Sequence, residues 1–250
     1  MKVVVVIPAY NEERTVGEVV GKCKMQPFLS PPFQGGDEEG VKTIVVDDGS
    51  TDRTAEVARA AGAIVLRHPI NRGLGAALST GIDGAIQLIT NNSITNNSII
   101  VTLDADLQHD PAEIARVIQP ILEGQAEVVI GSRFMTTGQH DNRTARWIPI
   151  TRKIGNWCGN FFTWLLFGIW VTDSQSGFRA FSGAAAEKLR LRTSTMEVSS
   201  EIIREIARLK LKMAEVPITV KYDKYSLSKG QGFLRGLETL WKLIVLKFFR

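Results

Sequence analysis

Short apolar runs recur along the first half of the chain, and between them the apolar spacing changes to that of helices. Val3–Ile7, Val41–Val46, Ala63–Arg67, Ile99–Leu103 and Glu127–Gly131 are short and apolar, with many β-branched residues, and read as buried strands. Glu12–Cys23, Thr51–Ala61, Gly75–Ile89 and Pro111–Glu123 read as helices. Strands alternating with helices of this length predict parallel βαβ units, with both faces of the sheet covered. In such sheets ligands bind outside the carboxyl ends of the strands. Pro27–Gly40, with three prolines and three glycines, reads as a loop, as does the polar near-repeat "TNNSITNNS", Thr90–Ser98.

The pattern changes in the second half. Ile154–Thr172 carries no charge across 19 residues and is rich in Trp and Phe. That approaches the roughly 20 residues of a membrane span. Gly155, Asn156, Gly159, Asn160 and Gly168 interrupt it, which favours a membrane-surface helix pair or a plain core element. A further helix starts at Met196–Glu201 and a strand spans Glu215–Tyr222. In the tail, Phe233–Arg250, the residues Phe233, Leu237, Leu240, Trp241, Ile244 and Phe248 fall on one helical stripe opposite Arg235, Glu238 and Lys242. This amphipathic helix either packs on its own domain or lies on an anionic lipid surface.

The composition is globular: 44% hydrophobic and 22% charged over 250 residues, which excludes a disordered chain. A net charge of +4 suits an anionic partner without choosing among nucleotide, lipid surface and nucleic acid. No Arg/aromatic pattern of an RNA module accompanies it, so nucleic acid is not expected. The two cysteines, Cys23 and Cys158, lack metal or redox spacing, which points to a reducing compartment. Met1 runs directly into a strand with no cleavage site, so no signal peptide is expected.

The chemistry sits where strands end. In "LDADLQHDP", Asp104, Asp106 and Gln108 alternate; on extended chain they would share a face, about 7 Å apart. Like charges so close need a cation between them or separate partners. Mg²⁺ or Mn²⁺ takes such hard oxygen ligands and could hold a diphosphate there. Asp110, directly before Pro111, reads as a helix cap. The first strand ends in "PAYNE" and the second in "VVDDGSTD". Tyr10 offers a flat face to a base, Glu12 could accept from sugar hydroxyls, and Asp48 from a base imide. Thr51 and Asp52 read as caps. Asn71–Gly75, "NRGLG", makes either a tight turn or an anion site at a helix N-terminus.

In combination, "PAYNE", "VVDDGSTD", "NRGLGAAL" and "LDADLQHDP" resemble the family 2 inverting glycosyltransferases, most nearly the polyprenyl-phosphate sugar transferases of the dolichyl-phosphate mannosyltransferase type. The resemblance covers Val3 to Arg133 closely. It implies an α/β fold of the GT-A, Rossmann-like type: a mostly parallel sheet flanked by helices, with a membrane-facing C-terminal part. Residues 1–232 would form the glycosyltransferase domain, 1–135 its nucleotide-sugar half and 136–232 its acceptor half, followed by the amphipathic helix 233–250. Pro8, Tyr10, Glu12, Val46 and Asp48 would line the nucleotide pocket. Asp104, Ala105, Asp106 and Gln108 would hold metal and diphosphate. The resemblance assigns Arg133 to an acceptor phosphate and puts "DSQSGFR", Asp173–Arg179, near the sugar. Arg143, Arg146, Arg152 and Lys153 gather before the aromatic segment, which suits a lipid with an anionic head. Lys229 would be the diphosphate counterion on a loop closing over it; relatives often place an Arg upstream of this lysine, where this chain has only Lys221 and Lys224.

A phosphate acceptor has a second pKa of about 6 and arrives largely ionised, so no general base is needed. His68, His109 and His140 hold no convincing base position. The expected reaction is metal-dependent, inverting transfer of a hexose from GDP-mannose or a UDP-sugar to a polyprenyl phosphate, with Asp106, Arg133 and Asp173 carrying catalysis by positioning. A sugar or polysaccharide hydroxyl is the alternative acceptor, with Asp173 as base. Lacking long C-terminal apolar spans, the chain is expected to be peripheral, at the cytoplasmic face of a membrane.

Overall fold

The structure, a computed structural model, describes residues 2–25, 41–90, 98–135 and 150–221. The loop expected over 27–40, most of the near-repeat, Arg143, Arg146, Lys229 and the amphipathic tail lie outside them. Among the described residues seven strands form one sheet: β1 (Lys2–Ala9), β2 (Lys42–Asp47), β3 (Ile64–Arg67), β4 (Ser98–Thr102), β5 (Val128–Ser132), β6 (Arg179–Ser182) and β7 (Met213–Pro217). Their spatial order is β3-β2-β1-β4-β6-β5-β7. All pairings are parallel except those of β6, which runs antiparallel to both β4 and β5.

The helices are α1 (Val16–Lys24), α2 (Thr54–Ala60), α3 (Leu74–Thr90), α4 (Ile114–Leu122), α5 (Ile150–Phe167), α6 (Gly183–Lys188) and α7 (Val198–Leu209). Because side chains alternate along a strand, an unbroken apolar run feeds two cores at once. Val3, Val5, Ile7 and Ala9 pack with Val16, Val19, Val20, Ala58, Ile114 and Val117 on one face. Val4 and Val6 pack with Leu78, Ile82, Ala85 and residues of α6 and α7 on the other.

Local chemistry sets the helix starts. Asn11 has φ 55°, so the chain reverses before α1, and the Glu12 carbonyl accepts from Thr15 and Val16 N–H. That turn delays the helix beyond the expected Glu12. Asp52 caps α2 by accepting from Thr54 N–H, and Asp110 accepts from Ala112 N–H before α4, both as expected. β6 and α6 were not legible in the apolar pattern. The uncharged segment is one helix with a short tail rather than a helix pair, and no helix among the described residues is long and apolar enough to cross a membrane. β7 begins at Met213 and ends at Pro217, short of the expected Tyr222.

The position of β6 matters most for the site. Arg179 is its first residue and pairs with Thr102 of β4 and Ile130 of β5. An antiparallel strand therefore delivers Asp173–Arg179 to the edge where the parallel strands end.

Gly81 lets α3 lie directly on the sheet: a Cβ there would sit 2.3 Å from Val6 Cγ1 and 3.0 Å from Val46 Cγ2. Gly81→Ala should therefore overpack this contact and cost about 1–3 kcal/mol, read as a lower urea midpoint.

Candidate active site

The ends of β1 and β2 are tied together by side chains. Asn11 N–H donates to Ser50 Oγ, and Thr51 N–H donates to Asn11 Oδ1. Glu12 N–H donates to Thr54 Oγ1, and the Glu12 carboxylate, itself buried, accepts from Thr15 Oγ1. Tyr10 stands at the edge with 44% of its surface exposed. Pro8 is half-buried and aligned with Val46 in the sheet. The Val46 side chain is fully buried in the core beneath α3, and Ala105 is buried in the opposite core. Asp48 is buried too. Its carboxylate accepts from Arg72 N–H (2.9 Å) and Gly73 N–H (2.7 Å) and lies 2.6 Å from His68 Nδ1, whose Nε2 lies 3.0 Å from Thr80 Oγ1. Asp48 thus builds the Asn71–Gly73 turn.

Of the two readings of Asn71–Gly75, the tight turn is the one formed. Gly75 and Ala76 N–H both donate to the Ser194 carbonyl, and a Cβ at Gly75 would come within 2.0 Å of the Thr193 carbonyl oxygen. The glycines serve a close approach by the chain's own backbone. That backbone is held by Glu201, fully buried, which accepts from Arg192 and Thr193 N–H and from Thr193 Oγ1.

Beyond β4 the chain turns instead of extending, so Asp104, Asp106 and Gln108 do not share a strand face. Leu107 has φ 61°, and Asp106 accepts from Gln108 N–H (3.0 Å) and from the Gln108 side-chain amide (2.6 Å). The turn still gathers the trio. Burial, and then the charge of Asp104, push the Asp106 carboxyl up to about 6, with Glu12 adding to the repulsion. For Asp104 burial acts in the same direction, but His109, Arg133 and Arg179 outweigh it and hold the carboxyl below its usual range. His109 Nε2 lies 3.6 Å from Asp104 Oδ2, and its buried Nδ1 has no hydrogen-bond partner among the described residues. Among those residues no three His, Cys, Asp or Glu side chains form a ready metal cage. Two mutually repelling carboxylates beside an amide nevertheless fit Mg²⁺ or Mn²⁺, which commonly keep one or two carboxylates and complete their shell with phosphate and water.

Facing this negative corner is a positive one. Arg133 grips Asp173 through two bonds, Nε to Oδ2 at 2.6 Å and an NH2 nitrogen to Oδ1 at 2.8 Å, and Asp173 is fully buried. Arg179 is buried as well and donates to the Ser174 carbonyl, while its Nε has no hydrogen-bond partner among the described residues. Burial lowers its guanidinium to about 10, against the opposing pull of Asp104 and Asp173. Gly177 closes the gap between the corners: a Cβ there would lie 2.3 Å from both Asp104 carboxylate oxygens. Thr102 Oγ1 fixes that turn by donating to the Gly177 carbonyl. Lys229 lies outside the described residues.

The family model for glycosyl transferase family 2 matches residues 4–190. The chain belongs to this family. It is 42% identical over 99% of its length to an uncharacterized protein of Methanocaldococcus jannaschii, covering 93% of that protein. It is 35% identical over 97% of its length to a UDP-N-acetylglucosamine–dolichyl-phosphate N-acetylglucosaminyltransferase of Methanococcus voltae, covering 94% of it. Among solved structures it resembles glucosyl-3-phosphoglycerate synthase of Mycobacterium tuberculosis bound to Mn²⁺, UDP and phosphoglyceric acid, with TM-score 0.64 and 22% identity over 98% of this chain and 76% of that one. The fold is therefore of the GT-A type, and the chain is a glycosyltransferase. Arg179, Gly177 and His109 join the residues read from sequence. The motif "SGFR" pointed to the first two, but not to a buried cation and a close approach.

Asp48→Ala would strand the amides of Arg72 and Gly73. A loss of about 1–3 kcal/mol in stability is expected, with faster hydrogen exchange at those two amides.

Proposed function

We propose that this glycosyltransferase moves a hexose, with inversion, from a nucleotide sugar to a polyprenyl phosphate at a membrane surface. The observation that carries the reading is the opposition of Asp104 and Asp106 to Arg133 and Arg179 across one sheet edge: a place for a cation and diphosphate beside a place for a second phosphate. The relative in Methanococcus voltae, named for transfer to dolichyl phosphate, supports the acceptor class.

Tyr10 would stack on the base, near Pro8 and the Asp48-built turn, and Glu12 would accept from the ribose. Asp104, Asp106 and Gln108 would hold Mg²⁺ or Mn²⁺, which supplies charge neutralisation on the departing nucleoside diphosphate. Lys229 would add a counterion. Arg133 enters with its guanidinium plane fixed by Asp173, an orientation suited to paired phosphate oxygens. The acceptor phosphate arrives ionised, so the residues need only align it with the anomeric carbon. Asp173 argues against the alternative hydroxyl acceptor: buried and doubly bonded to Arg133, it is poorly placed to take a proton. Cysteine usage favours the cytoplasmic face.

The test is nucleotide release from UDP-N-acetylglucosamine, UDP-glucose and GDP-mannose, with Mn²⁺ or Mg²⁺, with and without a short-chain polyprenyl phosphate. Release from one donor should depend on both the acceptor and the metal. Free sugars serving equally well would reject the acceptor assignment. Asp106→Ala should abolish transfer with the fold intact. Gly177→Ala, by displacing Asp104, should weaken Mn²⁺ binding about tenfold to a hundredfold, read directly by the Mn²⁺ resonance signal.

A further inference from the structure

Glu215 is half-buried on β7, in register with Ile130 of β5, the strand that ends just before Arg133. Its carboxylate binds Thr172 at two atoms. The Thr172 N–H is shared between Oε1 (2.9 Å) and Oε2 (3.0 Å), and Thr172 Oγ1 donates to Oε1 (2.8 Å). With that hydroxyl proton committed, Ser132 Oγ, 2.5 Å away, donates to Thr172 Oγ1 and itself accepts from Phe134 N–H. A directed chain therefore runs from Phe134 through Ser132 and Thr172 to Glu215, and only an acceptor can end it. On the other side of the same peptide unit, Asn156 and Asn160 of α5 both donate to the Thr172 carbonyl. Every polar atom of Thr172 is engaged. Burial pushes the Glu215 carboxyl above its usual range against the hydrogen bonds from Thr172. An apolar side chain would fill this sheet position at lower cost.

We infer that Glu215 is a positioning residue: through Thr172 it sets the direction in which Arg133 presents its guanidinium to the acceptor phosphate. Both neighbours of this clamp lead to Arg133. The residue after Thr172 is Asp173, which accepts from the Arg133 backbone N–H (3.1 Å) as well as from its side chain. Ser132 and Phe134, joined to Glu215 by the hydrogen-bond chain, flank Arg133 in sequence. A two-bonded guanidinium–carboxylate pair needs its two planes aligned, so a small rotation at Thr172 tilts Asp173 and turns Arg133 with it. A group that must meet a phosphate within a fraction of an ångström is useful only when the residues behind it are locked in this way. The inference rests on the proposed acceptor for what Arg133 grips, and not for how Arg133 is held.

Two measurements on the full-length chain test it. In a nitrogen–proton correlation spectrum of arginine-labelled protein, Arg133 Nε–H, bonded to a buried carboxylate, should give a slowly exchanging peak, assigned by its loss in Arg133→Lys. Glu215→Met should broaden or abolish that peak. Glu215→Gln, which keeps one acceptor oxygen for the Thr172 N–H and hydroxyl, should retain it. In transfer to a short-chain polyprenyl phosphate, Glu215→Met should lower kcat/KM for the acceptor about tenfold to a hundredfold, with donor KM and Mn²⁺ affinity unchanged and Glu215→Gln near wild type. Should Glu215→Met fail to fold, Thr172→Val, which keeps the N–H bonds and removes both hydroxyl bonds, should show the same split with a smaller loss. An unchanged Arg133 peak in the folded variants overturns the inference. So do equal losses for donor, metal and acceptor, which mark a general loosening of the fold, and so does a lost peak with unchanged acceptor kinetics. If the wild type transfers to no polyprenyl phosphate, the proposed function falls alone, and the peak by itself decides whether Glu215 aims Arg133.

Discussion

Negative charge gathered at one sheet edge is the constraint around which this structure is arranged. Asp104, Asp106 and Glu12 reach the same corner from the ends of two neighbouring strands, and their mutual repulsion is felt in the raised Asp106 carboxyl. Such a corner persists in a folded protein only if positive charge is brought close. The chain does this with a reversed strand. β6 enters between β4 and β5, so its first residue, Arg179, and Arg133 just beyond β5, paired with Asp173, lie within electrostatic reach of Asp104. Gly177 has no side chain because that approach leaves no room for one.

The parallel half was legible because its physics is local. An unbroken β-branched run has only a doubly covered strand to become, and caps such as Asp52 and Asp110 act within two residues. The polar clusters were legible for the same reason, each following its strand. What could not be read depended on partners distant in sequence. Arg179–Ser182 is too short to announce a strand until β4 and β5 flank it. "DADLQ" read as extended because alternation suggests it, whereas Leu107 in a left-handed conformation folds it into a turn. "NRGLG" offered two uses for its glycines, and only the position of Ser194 decides between them.

α5 shows where composition misleads in the opposite way. An uncharged, aromatic segment suggests a core or a span. In the fold its few polar residues turn inward to satisfy the backbone at Thr172 and Ser174, and the rings are left outside. The polar positions that interrupted the apolar run in sequence are the ones that anchor the helix.

The contact of Ser194 with the start of α3 has a consequence for how anions are held. A long helix ordinarily offers its positive end to phosphate, but here that end is discharged onto a carbonyl of the same chain. Attraction for a polyanionic guest must then come from discrete cations at the rim. Such a guest is held by as many separate grips as there are cations, and each grip can be strengthened or released by itself.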